Sequence, residues 1–594
     1  MIASLKRDLR FATGLFRTLG RVRGIRPDSP RRICDDLEAA VRRWTDREAL
    51  RFDGRSLTYG EMDALANRFA RWALEAGLKA GDRVALFLPN RIEYLPAWYG
   101  LSKVGVVSAL INNQLTGQAL AHCLSLSGAH EVIVDGETSP ALQEVLGDLA
   151  QAPRLWSLDA PLPGEGDLTA DLAGRSEAPP PAVLREGLRA GDTALLIYTS
   201  GTTGLPKAAR VTHVRVQLYM RGFAGATGAR QEDRIYVALP LYHATGGLCG
   251  MGAALLNGAC VVLRSKFSAT QFWEDIRREG CTQFVYIGEL CRYLANQPPH
   301  PDERSHRLRL AFGNGLRPDV WDKVTGRFGV PQVLEFYGST EGNVSMFNFD
   351  GRAGAIGRIP GPLKQRFNAR IVRFDYEAEA PLRGPDGFCT EAAAGEAGEC
   401  LGRIDSADPR AEFTGYLDRA ASEKKVLRDV FTPGDAWFRT GDLLRQDADG
   451  YVYFVDRVGD TFRWKGENVS TAEVALRLQA VPGVVEANVY GVEVPGADGR
   501  AGMAALVTNA DFDIGILAAR IAADLPEYAR PAFLRLQPEM AVTGTFKQRK
   551  VDLVAEGFDP ARVTGPLYHR AADGGYRPLD AAAYEGITSG RIRI

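Results

Sequence analysis

ALLIYTSGTTGLPKAA, residues Ala194 to Ala209, decides how the rest of the chain is read. Its apolar start, Ala194 to Tyr198, predicts a buried strand. That strand runs straight into six small hydroxyl or glycine residues, Thr199, Ser200, Gly201, Thr202, Thr203 and Gly204, with Lys207 behind them. Glycines let backbone N–H groups approach phosphate oxygens, hydroxyls add donors, and a lysine supplies counter-charge. The composition is that of a phosphate cradle; the competing reading is a flexible surface loop. It is not the Walker A loop of kinases and NTPases, because Pro206 precedes the lysine and Ala208 stands where Ser or Thr would hold magnesium.

Around this segment, helix and strand patterns alternate. Ser56 to Leu78 has helical periodicity behind a Thr58 N-cap, and Arg83 to Leu88 reads as a buried strand. Such alternation predicts parallel sheets covered by helices. Pro161 to Pro181 and Glu377 to Glu399 read as loop-rich connectors. After Asp456 the pattern changes: Val484 to Val494, a turn at 496–499 and Ala501 to Val507 predict a hairpin, followed by a helix over Ile514 to Leu525. The expected fold class is α/β, with a large multilayer N-terminal α/β domain over 31–456 and a small mobile α+β C-terminal domain over 457–594. Residues 1–30 form a separate basic amphipathic segment.

Composition excludes several classes. The 594 residues are 45% hydrophobic and 24% charged with a net charge of −1, so no overall positive field would draw nucleic acid. The eight cysteines (34, 123, 249, 260, 281, 291, 389, 400) contain no C-x-x-C pair and no zinc spacing, and their apolar neighbours predict buried thiols in a reducing cytoplasm. Apolar runs such as Val104 to Ile111 fall short of the roughly 20 residues that span a bilayer. Before residue 27 stand seven basic residues and one acid, Asp8; Ile2, Leu5, Leu9, Ala12, Phe16 and Leu19 share one helical face, with Lys6, Arg10, Arg17 and Arg21 opposite. This predicts either a helix lying on an anionic membrane surface through residues 1–26 or one docked on its own domain. A cleaved signal peptide is not expected, since charges interrupt every apolar core.

YTSGTTGLPK resembles the phosphate-binding signature of the adenylate-forming superfamily. YIGELCRYLANQP (Tyr286 to Pro298), FGNGLRPDVW (Phe312 to Trp321), EFYGSTEGN (Glu335 to Asn343) and DRVGDTFRWKGENVSTAEV (Asp456 to Val474) narrow the resemblance to the fatty acid transport protein and very-long-chain acyl-CoA synthetase branch, from about Arg32 to near the C-terminus. The resemblance implies a large adenylation domain and a two-step reaction: a carboxylate attacks the α-phosphate of ATP, pyrophosphate leaves with magnesium, and the thiol of coenzyme A cleaves the acyl-adenylate. Such chemistry depends on positioning and charge neutralisation.

Residue by residue, the resemblance places nucleotide phosphates on Thr199 to Gly204 and Lys207, adenine against Gly313, Asn314, Gly315 and Tyr337, the phosphate region against Thr340, and the nucleotide against Gly338 and Ser339. Glu341 is the implied magnesium ligand, its alternative a solvated loop acid. Lys547, in Thr543-Gly544-Thr545-Phe546-Lys547, is the implied catalytic cation over the α-phosphate, with Glu341 and Thr199 beside it; Phe546 departs from the superfamily's glycine. His243 gates and Tyr286 and Gly288 line the acyl site, Gly288 leaving room for the chain; a buried strand end is the alternative. Trp464 and Gly466 are implied coenzyme A contacts. Gly459 falls at the interdomain hinge, where relatives carry Asp or Lys.

Asp442 and Arg457 also follow from the residues. Asp447-Ala448-Asp449-Gly450 turns one strand into the next, and pairing Gln446 with Tyr451 puts Asp442 opposite Val455, so Asp442 and Arg457 meet at the hairpin's open end. From the residues alone an ion pair clamping the hairpin is the favoured reading; the resemblance implies instead that the Asp442 carboxylate binds ribose hydroxyls and the Arg457 guanidinium contacts the nucleotide, where it can reach a phosphate. The combined reading is a cytoplasmic or peripheral-membrane long or very long chain fatty acid–CoA ligase using ATP, Mg2+ and coenzyme A. Its alternatives are a ligase for another bulky carboxylate, bile-acid or carnitine-like, and a non-catalytic fatty-acid carrier.

Overall fold

The computed structural model describes residues 2–199, 205–376, 378–465, 467–497, 499–541 and 550–594. Ser200 to Gly204, Gly466 and Lys547 therefore lie outside the described residues. The chain divides into two compact units, 1–368 with 402–427, and 369–401 with 428–594. The boundary expected after Asp456 falls inside the second unit, because the hairpin that ends at Arg457 shares a sheet with strands Ala369–Asp375 and Ala397–Arg403.

The first unit holds two sheets. One has eight strands in the order Ser345–Asn348, Val333–Gly338, Leu310–Asn314, Gln283–Ile287, Arg234–Val237, Cys260–Leu263, Glu48–Phe52 and Arg55–Thr58, parallel except for its two outer pairs. The other has seven, in the order Glu165–Asp167, Arg154–Ser157, Glu131–Val134, Arg83–Leu86, Val107–Leu110, Thr193–Thr199 and Lys207–Thr212; only the last pair is antiparallel. Val107–Leu110 and Glu131–Val134 are buried at every residue, as strands covered on both faces must be. The Thr58 cap is two-sided: its hydroxyl accepts from Glu61 N at 3.1 Å while its N–H donates to Glu61 Oε2 at 2.7 Å, starting helix Tyr59–Glu75.

Within the expected connector at 161–181, the structure has a strand, Glu165–Asp167, and a helix, Leu168–Ala173. The Asp167 carboxylate caps that helix, and Leu168 and Leu172 are buried. Flanking Pro and Gly residues hide so short an amphipathic element from a periodicity reading.

The N-terminal helix Ile2–Val22 packs on helix His213–Ala226 within the same unit. Its docked side is Phe11, Gly14 and Thr18, with the Phe11 ring 5.9 Å from that of Phe349. Arg17 donates to the carbonyls of Gly225 and Ala226, and Arg21 to Asn257 Oδ1 at 2.5 Å. Both arginines, expected on the solvated face, thus cap carbonyls of the domain. The apolar side of the expected wheel faces away from it: Leu9 is 65% and Phe16 74% exposed.

In the second unit, Tyr451–Arg457, Ala436–Gln446, Ala397–Arg403, Ala369–Asp375 and Ala380–Pro381 are neighbours in one sheet. Another sheet has the order Val484–Glu493, Arg500–Thr508, Phe533–Leu536, Leu567–Arg570 and Tyr576–Pro578. Helices Thr471–Gln479 and Ile514–Asp524 bury Leu478, Leu517 and Ile521 in its core. The expected hairpin and following helix are present here.

Candidate active site

Antiparallel pairing of the last two strands of the seven-stranded sheet sets Thr199 directly opposite Lys207, at the two ends of segment 200–206. His122 Nε2 lies 3.1 Å from the Pro206 carbonyl. Beyond Lys207, the segment around Gly415 adds an extra rung: Arg210 N donates to Gly415 O at 3.0 Å, Leu417 N to Ala208 O at 2.9 Å, and Ala209 bridges Tyr416.

That rung delivers Tyr416. Its hydroxyl donates to Glu341 Oε1 at 3.0 Å, Lys207 Nζ stands 5.8 Å from its ring centroid, and the Thr199 side chain hydrogen-bonds the same phenol. Burial, reinforced by the Glu341 carboxylate, pushes the Tyr416 pKa up, so the phenol stays a donor at neutral pH. Tyr416 is a site residue that sequence reasoning missed; the only signal was a Gly-Tyr pair far from the quoted motifs.

The turn carrying Glu341 follows strand Val333–Gly338. Its Ser339 carbonyl accepts from Tyr219 Oη at 2.7 Å and Arg215 Nη2 at 3.0 Å, both on helix His213–Ala226, and Gly342 N donates to Ser339 Oγ at 3.1 Å. A loop of small polar residues is thereby anchored by a buried helix, with Tyr337, Gly338, Thr340 and Glu341 half-buried around it.

Strands Val333–Gly338, Leu310–Asn314 and Gln283–Ile287 run parallel, so Tyr337, Gly313-Asn314-Gly315 and Gly288 collect at one carboxyl end of the sheet, where α/β sheets bind ligands. Gly315 is exposed at φ +81°, a Cβ there would meet nothing nearer than Gly288 N at 3.8 Å, and the glycine can approach a flat ligand. Gly313 and Gly288 have other reasons to be glycine. A Cβ at Gly313 would sit 2.2 Å from the Tyr286 carbonyl oxygen, and one at Gly288 1.8 Å from that of Gly315. The space expected to admit an acyl chain at Gly288 is filled by backbone. Tyr286 is fully buried and donates to Glu335, a core position in agreement with the alternative weighed for it. His243 is half-buried, its ring 4.5 Å from that of Tyr242; Asn90 fixes the approach to it, accepting from Leu241 N at 2.8 Å.

In the second unit the hairpin register differs from expectation. Asp442 pairs with Arg457 directly, because Gln446 pairs with Val452 and a bulge lies between Leu443 and Leu444. The two side chains meet as expected, Arg457 Nε 3.7 Å from Asp442 Oδ1. Asp456 points the other way: buried, it accepts from Thr471 N at 2.6 Å and roots helix Thr471–Gln479. Gly459 has φ +88°, a conformation that disfavours Asp or Lys. Trp464 is buried in the core of the second unit. Lys550 Nζ bonds Asp460 at 3.1 Å and Thr471 Oγ1 at 2.9 Å.

Two family models match: AMP-binding enzyme over residues 37–385, and AMP-binding enzyme C-terminal domain over 473–547. The chain belongs to the AMP-binding enzyme family. This AMP-binding enzyme is 46% identical to human long-chain fatty acid transport protein 3, over 87% of its own length and 76% of the relative's. It is 43% identical to human long-chain fatty acid transport protein 1, over 94% and 88%. In fold it is similar to an anthranilate CoA ligase bound to anthranoyl-AMP (TM-score 0.76, 22% identity, 88% of this chain and 97% of that one). A Mycobacterium tuberculosis fatty acyl CoA synthetase also matches (TM-score 0.63, 23% identity, 88% and 98%).

Among the described residues no group of three or more His, Cys, Asp or Glu side chains clusters as a metal cage. A single half-buried carboxylate, Glu341, oriented by a phenol and set near Lys207, fits magnesium, which takes one or two carboxylates together with substrate phosphates. No described helix is long and apolar enough to cross a membrane.

Proposed function

We propose that this AMP-binding enzyme is an AMP-forming acid–thiol ligase that joins long or very long chain fatty acids to coenzyme A. The observation that carries the reading is the Thr199–Lys207 pair at the mouth of the phosphate loop, tied through Tyr416 to Glu341. Lys207 offers positive charge to the polyphosphate, Thr199 and its neighbours offer hydroxyl donors, and Tyr337 presents a ring to adenine over the open Gly315. In the second unit Asp442 takes the ribose hydroxyls, Arg457 a phosphate, and Gly459 acts as hinge.

A fatty acid is already ionised at pH 7, so no base is required. Its oxygen attacks the α-phosphorus, the bond to pyrophosphate breaks, and Lys547 stabilises the charge that develops. Glu341 would hold magnesium, which neutralises the departing pyrophosphate. The thiol of coenzyme A then gives up its proton to solvent and forms a C–S bond at the acyl carbon as the acyl C–O bond to AMP breaks, with Gly466 at the thiol's approach.

A cytoplasmic location with peripheral attachment to an anionic membrane surface through residues 1–26 belongs to the same reading. It is supported by the N-terminal helix, which docks by one side and leaves Leu9, Phe16 and Leu19 exposed on the other, with Arg10 and Arg23 exposed beside them. The test is AMP formation from ATP across a chain-length series, with bulky carboxylates alongside and with and without coenzyme A. AMP that rises with coenzyme A and peaks at a long chain supports the ligase; a peak at a bulky carboxylate assigns that substrate instead. No acid-dependent AMP from folded protein returns the carrier alternative.

A further inference from the structure

Tyr286, Gly313 and Glu335 form one row across three adjacent parallel strands, Tyr286 paired with Gly313 and Gly313 with Glu335. The middle position has no side chain, so the two outer ones reach toward each other across it, and the Tyr286 hydroxyl donates to Glu335 Oε1 at 2.8 Å. A Cβ on Gly313 would meet the Tyr286 ring at 2.6 Å, which is why the row needs glycine there. Glu335 is 1% exposed. Its carboxyl accepts two further bonds, from Leu316 N at 2.8 Å to Oε1 and from Gly315 N at 3.1 Å to Oε2.

Two consecutive backbone N–H groups of the loop after strand Leu310–Asn314 therefore end on one buried carboxyl. That loop contains Gly315, the open glycine, and its carbonyl abuts Gly288 at the start of helix Gly288–Asn296. A carboxyl so deep is a costly way to satisfy two amides unless their direction matters, since burying it is unfavourable and water or a hydroxyl would serve an exposed turn.

We propose that Glu335 is a positioning residue for nucleotide binding: it fixes the Asn314–Leu316 loop against adenine and ties that loop, through Tyr286, to strand Gln283–Ile287. The inference rests on the nucleotide role proposed above for Gly313 to Gly315. Glu335 touches none of the reacting atoms, so its loss weakens ATP binding and leaves turnover at saturating ATP nearly intact.

The test uses the full chain and measures ATP affinity directly by calorimetry without fatty acid, then KM and kcat for acid-dependent pyrophosphate release. Glu335→Gln preserves shape but turns one acceptor into a donor facing the loop amides. The expected result is an ATP Kd and KM raised about tenfold or more with kcat within about threefold, which a general loss of folded protein would not produce. Tyr286→Phe, which removes only the hydroxyl, is expected to raise Kd about threefold alone and less than twofold in the Glu335→Gln background. If Glu335→Gln does not fold, Tyr286→Phe decides. Wild type that binds ATP while the folded variants bind it equally well overturns this inference and leaves the ligase reading standing; wild type that binds no ATP overturns both.

Discussion

The Tyr416 hydroxyl donates to Glu341 Oε1 at 3.0 Å while Lys207 Nζ lies 5.8 Å from the centre of the same ring. One phenol thus orients the proposed magnesium carboxylate and faces the proposed phosphate lysine. Three chain segments far apart in sequence converge on it, because strand Lys207–Thr212 pairs on one edge with Thr193–Thr199 and on the other with the 415–417 segment.

Tyr416→Phe keeps the ring and deletes the donor. A hydrogen bond to a charged group contributes about 1.5–3 kcal/mol, so the rate of pyrophosphate formation is expected to fall roughly 10–100-fold, with more Mg2+ needed for half-maximal rate. A magnesium titration of initial rates checks this, with a circular dichroism spectrum like that of wild type as the control for folding.

Asp442→Asn tests the ribose assignment. Arg457 is 41% exposed, so the ion pair contributes less than about 1 kcal/mol to stability. The melting temperature is expected to hold while the KM for ATP rises about tenfold, a loss of buried polar contacts with the nucleotide.

Burial, against the two loop amides and the Tyr286 hydroxyl, pushes the Glu335 carboxyl from an ordinary 4.5 up to about 8. The titratable groups facing it are the Tyr286 phenol and the Cys291 thiol, both driven up by burial and protonated throughout this range. Between pH 4.5 and about 8 the folded chain holds a proton that the unfolded chain has released. Stability therefore falls as pH rises through that window, by up to about 1.4 kcal/mol per unit. Glu335→Gln cannot ionise, and its denaturation midpoints between pH 5 and 8 are expected to lose this slope relative to wild type.

Most of the first unit was legible because its chemistry and its periodicity are local. The strand over Ala194 to Tyr198 and the Thr58 cap depend on neighbours in sequence, and the structure has both as expected. Tyr416, His122 and Glu335 were not legible, since each acts through partners 19 or more positions away in the chain. The glycines divide the same way. A glycine-rich string announces close approach, but only the fold tells that Gly288 yields to the Gly315 carbonyl while Gly315 stays open. The N-terminal helix was readable as amphipathic, yet which face docks depended on carbonyls at Gly225 and Ala226 that Arg17 caps.

For that helix, Leu9→Asp with Phe16→Asp is expected to abolish flotation with vesicles containing anionic lipid. The melting temperature should stay unchanged, because both side chains are exposed. Wild-type flotation is expected to weaken at high salt and on neutral vesicles. Gly14→Val, whose Cβ would lie 2.4 Å from the Phe349 ring, is expected instead to lower the melting temperature.

The most direct test of the account is isotope exchange between labelled pyrophosphate and ATP with magnesium and a long-chain fatty acid, in the absence of coenzyme A. Adenylate formation predicts exchange that requires the acid and is lost in Glu341→Gln. Exchange that proceeds equally without acid, or none at all from folded protein that binds the acid, would contradict it.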